Sequence, residues 1–189
     1  MRKLMLFMLA LSMAVAATLA AQTQSMSFFV TSAGSGNGGN LGGVEGADKL
    51  CQTLAAKAGA GTRTWRAYLS TSFNGAPAAN AGDRIGAGPW YNAKGVLVAR
   101  GPIDLHTKGG LDPALVLTEK GAAIAPETTV LTGTLADGTA AVDKTCNNWT
   151  DTSGEAAAGG PGSAWNSART ATCAALPTGQ PRLYCFALK

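Results

Sequence analysis

The chain has 189 residues, enough for one domain of the usual size of about 150, and its 46% hydrophobic residues exclude wholesale disorder. Glycine is abundant at 25 residues, whereas charged residues make up 14% against the usual share of about 25%, a balance that fits long loops. The formal charge of +4 points to an anionic partner only if the cations belong to the folded domain.

Two of them do not. Met1-Arg2-Lys3 is a short cationic start, residues 4–17 are apolar apart from Ser12, and small residues follow up to Gln22. This order of regions predicts a secretory signal peptide over residues 1–21, cleaved after Ala20 or Ala21. The run falls short of the roughly 20 apolar residues that a membrane-spanning helix needs. The mature chain, residues 22–189, is therefore expected as one exported domain without membrane insertion, in the periplasm or outside the cell. Its formal charge drops to +2 once Arg2 and Lys3 are gone.

Along the mature chain, residues 27–31 read as a first strand, followed by a Gly/Asn/Ser loop over 32–43. Residues 44–58 read as a helix, with Leu50, Cys51, Leu54, Ala55 and Ala58 on one face and Gly59-Ala60-Gly61 as its stop. Residues 64–70 alternate, which places Trp65, Ala67 and Leu69 on one side of a strand and Arg66, Tyr68 and Ser70 on the other. Residues 72–88 are polar and Gly-rich, with one short helical turn near 81–85. A hairpin is expected from 89–91 and 96–99, loop over 101–126, and a short strand at 130–134 before an Asp137-Gly138 turn. The last strands are expected at 145–150 and 183–188, separated by a long loop over 151–181. The pattern is α+β with few helices, short strands and long loops.

The four cysteines, Cys51, Cys146, Cys173 and Cys185, are even in number and contain no C-x-x-C pair. In an exported chain they predict two disulfides, with three connectivities open. Zinc is disfavoured, since His106 is the only histidine.

The segments Ala47-Asp48-Lys49-Leu50-Cys51-Gln52, Thr64-Trp65-Arg66-Ala67-Tyr68-Leu69-Ser70 and Gly88-Pro89-Trp90-Tyr91-Asn92-Ala93-Lys94-Gly95 carry a resemblance. So do Thr145-Cys146-Asn147-Asn148-Trp149-Thr150, Trp165-Asn166-Ser167-Ala168 and Leu183-Tyr184-Cys185-Phe186. Over about residues 26–187 the chain resembles bacterial secreted lectin-like proteins related to the collagen XV/XVIII C-terminal (endostatin) domain. The resemblance implies a C-type-lectin-like fold: two small antiparallel sheets, one or two helices and long loops. It also implies nested disulfides, Cys51 with Cys185 and Cys146 with Cys173. Calcium-dependent sugar binders of this fold use Glu-Pro-Asn or Gln-Pro-Asp and Trp-Asn-Asp, and neither stands here. Trp165-Asn166-Ser167 lacks the final carboxylate, and only Asp151 and Glu155 lie between Cys146 and Cys173, so no cofactor is expected; calcium stays open, with its usual motif absent.

Several signals point to chemistry. Gly34-x-Gly36-x-x-Gly39 satisfies a dinucleotide fingerprint in form but lacks the acidic residue that should follow, and reads as a loop. Asp104 and His106 could orient a general base, yet no nucleophile motif accompanies them, so an exported hydrolase is only an alternative and no enzyme is expected. Trp65 and Trp90 are expected in the core. Lys57, Arg63, Arg66 and Arg84 read as scattered solvated cations, without the interleaved aromatics of a nucleic-acid module. Trp149 and Trp165, among Asn147, Asn148, Asp151, Asn166, Ser167 and Arg169, pair aromatic faces with amides and hydroxyls as ligand sites do. They are the candidate binding residues of a module for a glycan, a polyanion or an extracellular or envelope protein. A structural envelope protein without a small ligand is the remaining alternative.

Overall fold

A computed structural model describes residues 25–107, 110–175 and 180–188; the expected signal peptide lies outside the described residues. The first half runs β1 (Phe28–Val30), α1 (Gly43–Lys57), β2 (Trp65–Ala67), α2 (Ala81–Arg84), β3 (Trp90–Tyr91) and β4 (Leu97–Ala99). The second runs α3 (Pro102–Thr107), β5 (Gly110–Leu111), β6 (Val130–Leu131), β7 (Glu155–Gly159), β8 (Gly162–Ser163), β9 (Arg169–Thr172) and β10 (Arg182–Ala187).

Strand β10 organises the fold. Its unbroken apolar run Leu183-Tyr184-Cys185-Phe186-Ala187 is buried on both faces, as a central strand covered from two sides must be. It pairs antiparallel with β1, where Phe29 faces Cys185, and antiparallel with β2, where Ala67 faces Cys185. It also pairs with β6, in parallel. β7 and β9 extend this six-stranded sheet, and β3–β4 and β5–β8 form two small ribbons.

Because strand side chains alternate, the sheet divides the interior in two. On one face Phe29, Trp65, Leu131, Trp149, Leu183 and Cys185 pack against Ala47, Cys51, Leu54 and Ala55 of α1. On the other, Phe28, Val30, Tyr68, Trp90, Trp165, Tyr184 and Phe186 form a largely aromatic core beneath the loops. Each fully buried large apolar side chain contributes about 1.5–3 kcal/mol.

The disulfides are Cys51–Cys185, which ties α1 to β10, and Cys146–Cys173, each with Cα atoms 5.6 Å apart. The mixed α+β class, the few helices and the small sheets agree with the expectation from sequence. Tyr68, on the strand side opposite Trp65 and Ala67, is buried in the second core. Four local expectations are corrected. One sheet pairing is parallel, β6 with β10, where only antiparallel pairing was expected. Residues 101–126 hold α3, β5 and a 3₁₀ turn at Pro113–Leu115, and residues 151–181 hold β7, β8 and β9. Finally, residues 145–150 are not a strand.

Candidate functional site

Those residues form a turn of opposite hand. Cys146, Asn147, Asn148 and Trp149 have φ of 49°, 50°, 54° and 67°, and Asp143 just before them has 60°. The Trp149 N–H donates to the Thr145 carbonyl at 2.8 Å, which closes one turn of left-handed helix. For L-residues this conformation costs about 1–2 kcal/mol each, less for asparagine, so its surroundings must hold it.

They hold it from four sides. Cys146 is bonded to Cys173. The buried Trp149 ring donates its Nε1–H to the Ser70 carbonyl at 2.7 Å. The Thr145 hydroxyl accepts the Asn148 N–H at 3.3 Å. The Asn148 amide then grips the backbone of Ser72 as a neighbouring strand would: its Oδ1 accepts the Ser72 N–H at 2.7 Å and its Nδ2 donates to the Ser72 carbonyl at 2.9 Å. Backbone strain held by over-determined surroundings is characteristic of functional sites.

The clamp sets the turn against the loop that follows Ser72. Between them lies a depression of about 180 Å³ lined by Ser72, Phe73, Asn74, Asp143, Thr145, Asn147 and Asn148. Phe73 is 75% exposed, an unusual state for a phenylalanine, and Val142 beside Asp143 is 73% exposed. The Asp143 N–H donates to the Ser72 hydroxyl at 3.1 Å, and Asp143 is exposed.

The residues singled out from sequence divide between surface and interior. Asn147 is exposed and Asn148 half-buried at the depression. Trp149 is fully buried beneath it and offers no face to a ligand. Asp151 closes the next turn, accepting the Ser153 N–H at 2.9 Å, and that bond holds its carboxyl below the usual range. Trp165 and Asn166 are buried in the aromatic core rather than at the surface. The Trp165 ring lies 4.7 Å from that of Tyr68, and Asn166 donates from Nδ2 to the Tyr68 hydroxyl at 3.0 Å and to the Leu135 carbonyl at 3.0 Å. Ser167 is half-buried, its N–H donating to the Ala164 carbonyl at 2.9 Å. Arg169 lies on β9 and donates to the Glu127 carbonyl at 3.3 Å.

Phe73, Asn74 and Asp143 were not singled out. The signal for Phe73 and Asn74 was a lone phenylalanine set directly among Ser, Thr, Asn and Gly; nothing in the sequence marked Asp143.

His106 is half-buried on α3, not in a solvated loop. Its Nδ1 lies 2.7 Å from the Pro102 carbonyl, an acceptor only, so Nδ1 carries the proton and Nε2 accepts the Tyr68 hydroxyl at 2.7 Å. Both nitrogens are thus engaged. Burial, the main cause, raises the Tyr68 phenol well above its ordinary pKa.

Of the four cations read as scattered, Lys57 and Arg66 share one surface, whereas Arg63 borders another depression. Lys49 and Lys57 on α1 and Arg66 on β2 border one open groove of about 800 Å³. Asp48, the acid in that groove, is paired with Arg84 at 2.8 Å. Residues 46–94 carry six cations against two acids, and residues 95–175 five against eight.

Among the described residues no cluster of potential ligands could hold a metal ion, and no helix is long and apolar enough to cross a membrane. No protein-family model matches the chain, and no curated protein is significantly similar to it.

Proposed function

We propose that the chain is an exported binding module of C-type-lectin-like, endostatin-like build that takes a glycan at the depression between the Phe73 loop and the left-handed turn. The observation that carries this reading is the strained turn itself, clamped to Ser72, with an exposed aromatic ring and the amides and carboxylate of Asn74, Asn147 and Asp143 around one depression. A sugar presents an apolar C–H face and a ring of hydroxyls; an aromatic face with a few fixed polar groups matches both. The two disulfides support an oxidising compartment. The hydroxyl that His106 holds belongs to Tyr68, which is fully buried and out of reach of a substrate, and this speaks against a hydrolase built on that pair.

Glycan-array binding of the mature protein tests it. Phe73→Ala and Asn147→Ala, both at exposed positions, should each weaken binding about tenfold, equivalent to about 1.4 kcal/mol. Undiminished binding by both variants would exclude the depression as the site.

A second reading, a polyanion ligand, is favoured by Lys49, Lys57 and Arg66 bordering the α1–β2 groove. In the same assay, binding to sulfated dextran that fell with salt and with Lys49→Ala/Lys57→Ala, but not with Phe73→Ala, would support that reading instead.

A further inference from the structure

The sequence contains three pairs in which asparagine or aspartate precedes glycine: Asn37-Gly38, Asn74-Gly75 and Asp137-Gly138. An Asn-Gly pair is chemically labile, because glycine has no Cβ to keep its backbone nitrogen from the preceding side chain. That nitrogen, having lost its proton to base, attacks the asparagine Cγ. The new C–N bond closes a five-membered imide, and the side-chain nitrogen leaves as ammonia. Water then opens the imide at either carbonyl to give aspartate or isoaspartate. Closure requires a side chain and a peptide unit that are free to rotate toward each other.

The structure separates the three pairs by this requirement. Gly38 is buried, and a Cβ there would meet the backbone of Ala174 and Ala175 at 2.6 Å. The flanking backbone is bonded on both sides: the Asn40 N–H donates to the Asn37 carbonyl at 3.0 Å, and the Gly39 N–H to the Cys173 carbonyl at 2.8 Å. Asp137 is held too, its carboxylate accepting the Thr139 N–H at 2.9 Å and hydroxyl at 2.6 Å, while Gly138 packs on His106.

Asn74-Gly75 is different. The loop is closed at its base by the Thr71 N–H to the Ala79 carbonyl, 2.9 Å, and by the Ala79 N–H to the Thr71 hydroxyl, 2.9 Å. Between these ties, residues 73–78 are all exposed and make no hydrogen bond among the described residues. The position of a Cβ on Gly75 has nothing within 4 Å.

We infer that Asn74 is a site of spontaneous, base-promoted deamidation that converts the neutral amide at the rim of the depression into a carboxylate beside Asp143. The selectivity over Asn37 is a property of the fold. The consequence for ligand binding rests on the glycan reading: the product loses an N–H donor and sets a second negative charge at the depression, so a hydroxyl-bearing ligand binds more weakly as the protein ages.

The test is a time course of the folded protein in mildly alkaline buffer, read by peptide mass mapping, with a denatured sample alongside. The inference requires a gain of one mass unit, with release of ammonia, confined to the Asn74 peptide in the folded protein and shared by the Asn37 peptide once unfolded. Gly75→Ala should slow it severalfold. An unmodified Asn74, or an Asn37 that keeps pace with it in the folded state, overturns the inference. Asn74→Asp, which installs the product, should lose glycan binding. Mass gain with wild-type binding by Asn74→Asp would uphold the modification and remove the glycan reading of the depression.

Discussion

At the scale of the residue, the left-handed turn depends on a neighbour that has no side chain. Gly133 lies at φ +64°, and a Cβ there would stand 2.7 Å from Trp149 Cζ2 and 3.1 Å from Thr145 Cγ2. Both contacts fall on the atoms that hold the turn. Trp149 is wedged by its bond to Ser70, and Thr145 by its bonds to Asn148, so neither can step aside cheaply. Gly133→Ala combines an unfavourable φ with overpacking, and should cost about 2–4 kcal/mol in urea-induced unfolding of the protein. A loss under about 0.5 kcal/mol, the scale of an ordinary surface change, would mean that the turn relaxes at little expense.

The same residues explain why the turn was hidden in the sequence. Thr145, Asn147 and Trp149 alternate with Cys146, Asn148 and Thr150, and period-2 spacing with two β-branched residues reads as a strand. The contrary signal was Asn147-Asn148, since asparagine tolerates positive φ far better than most residues. Position alone could not show which neighbours would enforce it. The polar residues around Trp149 and Trp165 suggest faces for a ligand, but partners distant in sequence, Ser70 for one and Tyr68 for the other, draw both rings inside.

At the scale of the element, α1 shields an edge of the sheet. β2 pairs with β10 on one side only, and its outer N–H groups would otherwise be open. Asp48 and Gln52, four residues apart on one face of α1, cover them: Asp48 accepts the Ala67 N–H at 2.8 Å and Gln52 the Trp65 N–H at 3.0 Å. Asp48 also takes Arg84, which in turn donates to the Ala67 carbonyl at 2.8 Å, so helix, strand and α2 share one polar network. Asp48→Ala leaves both the Ala67 N–H and the half-buried guanidinium short of a partner, and should lower unfolding free energy by about 2–3 kcal/mol. Gln52→Ala removes no charge and should cost less. Equal losses would show that the ion pair adds nothing to the hydrogen bond.

Elements whose local pattern agreed with their packing were legible. α1 shows one apolar face, and β1 and β10 are apolar runs buried on both sides. β7 was not legible because Ala156, Ala157 and Ala158 have no strand preference of their own; β6 and β9 on either side impose the extended form. The nested disulfides came from the resemblance, since four cysteines alone leave the pairing open.

At the scale of the whole molecule, the aromatic core fixes how the protein responds to alkali. Tyr68 and Tyr184 are both fully buried there. Desolvation, the largest influence on each, pushes both phenols well above the ordinary value near 10. The Tyr184 hydroxyl donates to the Trp165 carbonyl at 3.1 Å, and the Tyr68 hydroxyl to His106, so each proton also belongs to a bond that links separate parts of the chain. In the unfolded chain these phenols ionise near pH 10, whereas in the folded protein they keep their protons. Above that pH the unfolded state therefore binds fewer protons, and stability present below pH 10 falls as the pH rises toward the folded values. The midpoint of urea unfolding should decline steadily above pH 10, and tyrosinate absorbance from these two residues should rise only with unfolding. Tyr68→Phe separates the contributions: it removes one titrating group and should flatten the decline, at the cost of leaving the Asn166 amide and His106 Nε2 without their shared partner. A midpoint that held constant to pH 11, or tyrosinate absorbance from Tyr68 and Tyr184 in the folded protein, would mean that the core admits hydroxide and is not the sealed layer that its packing implies.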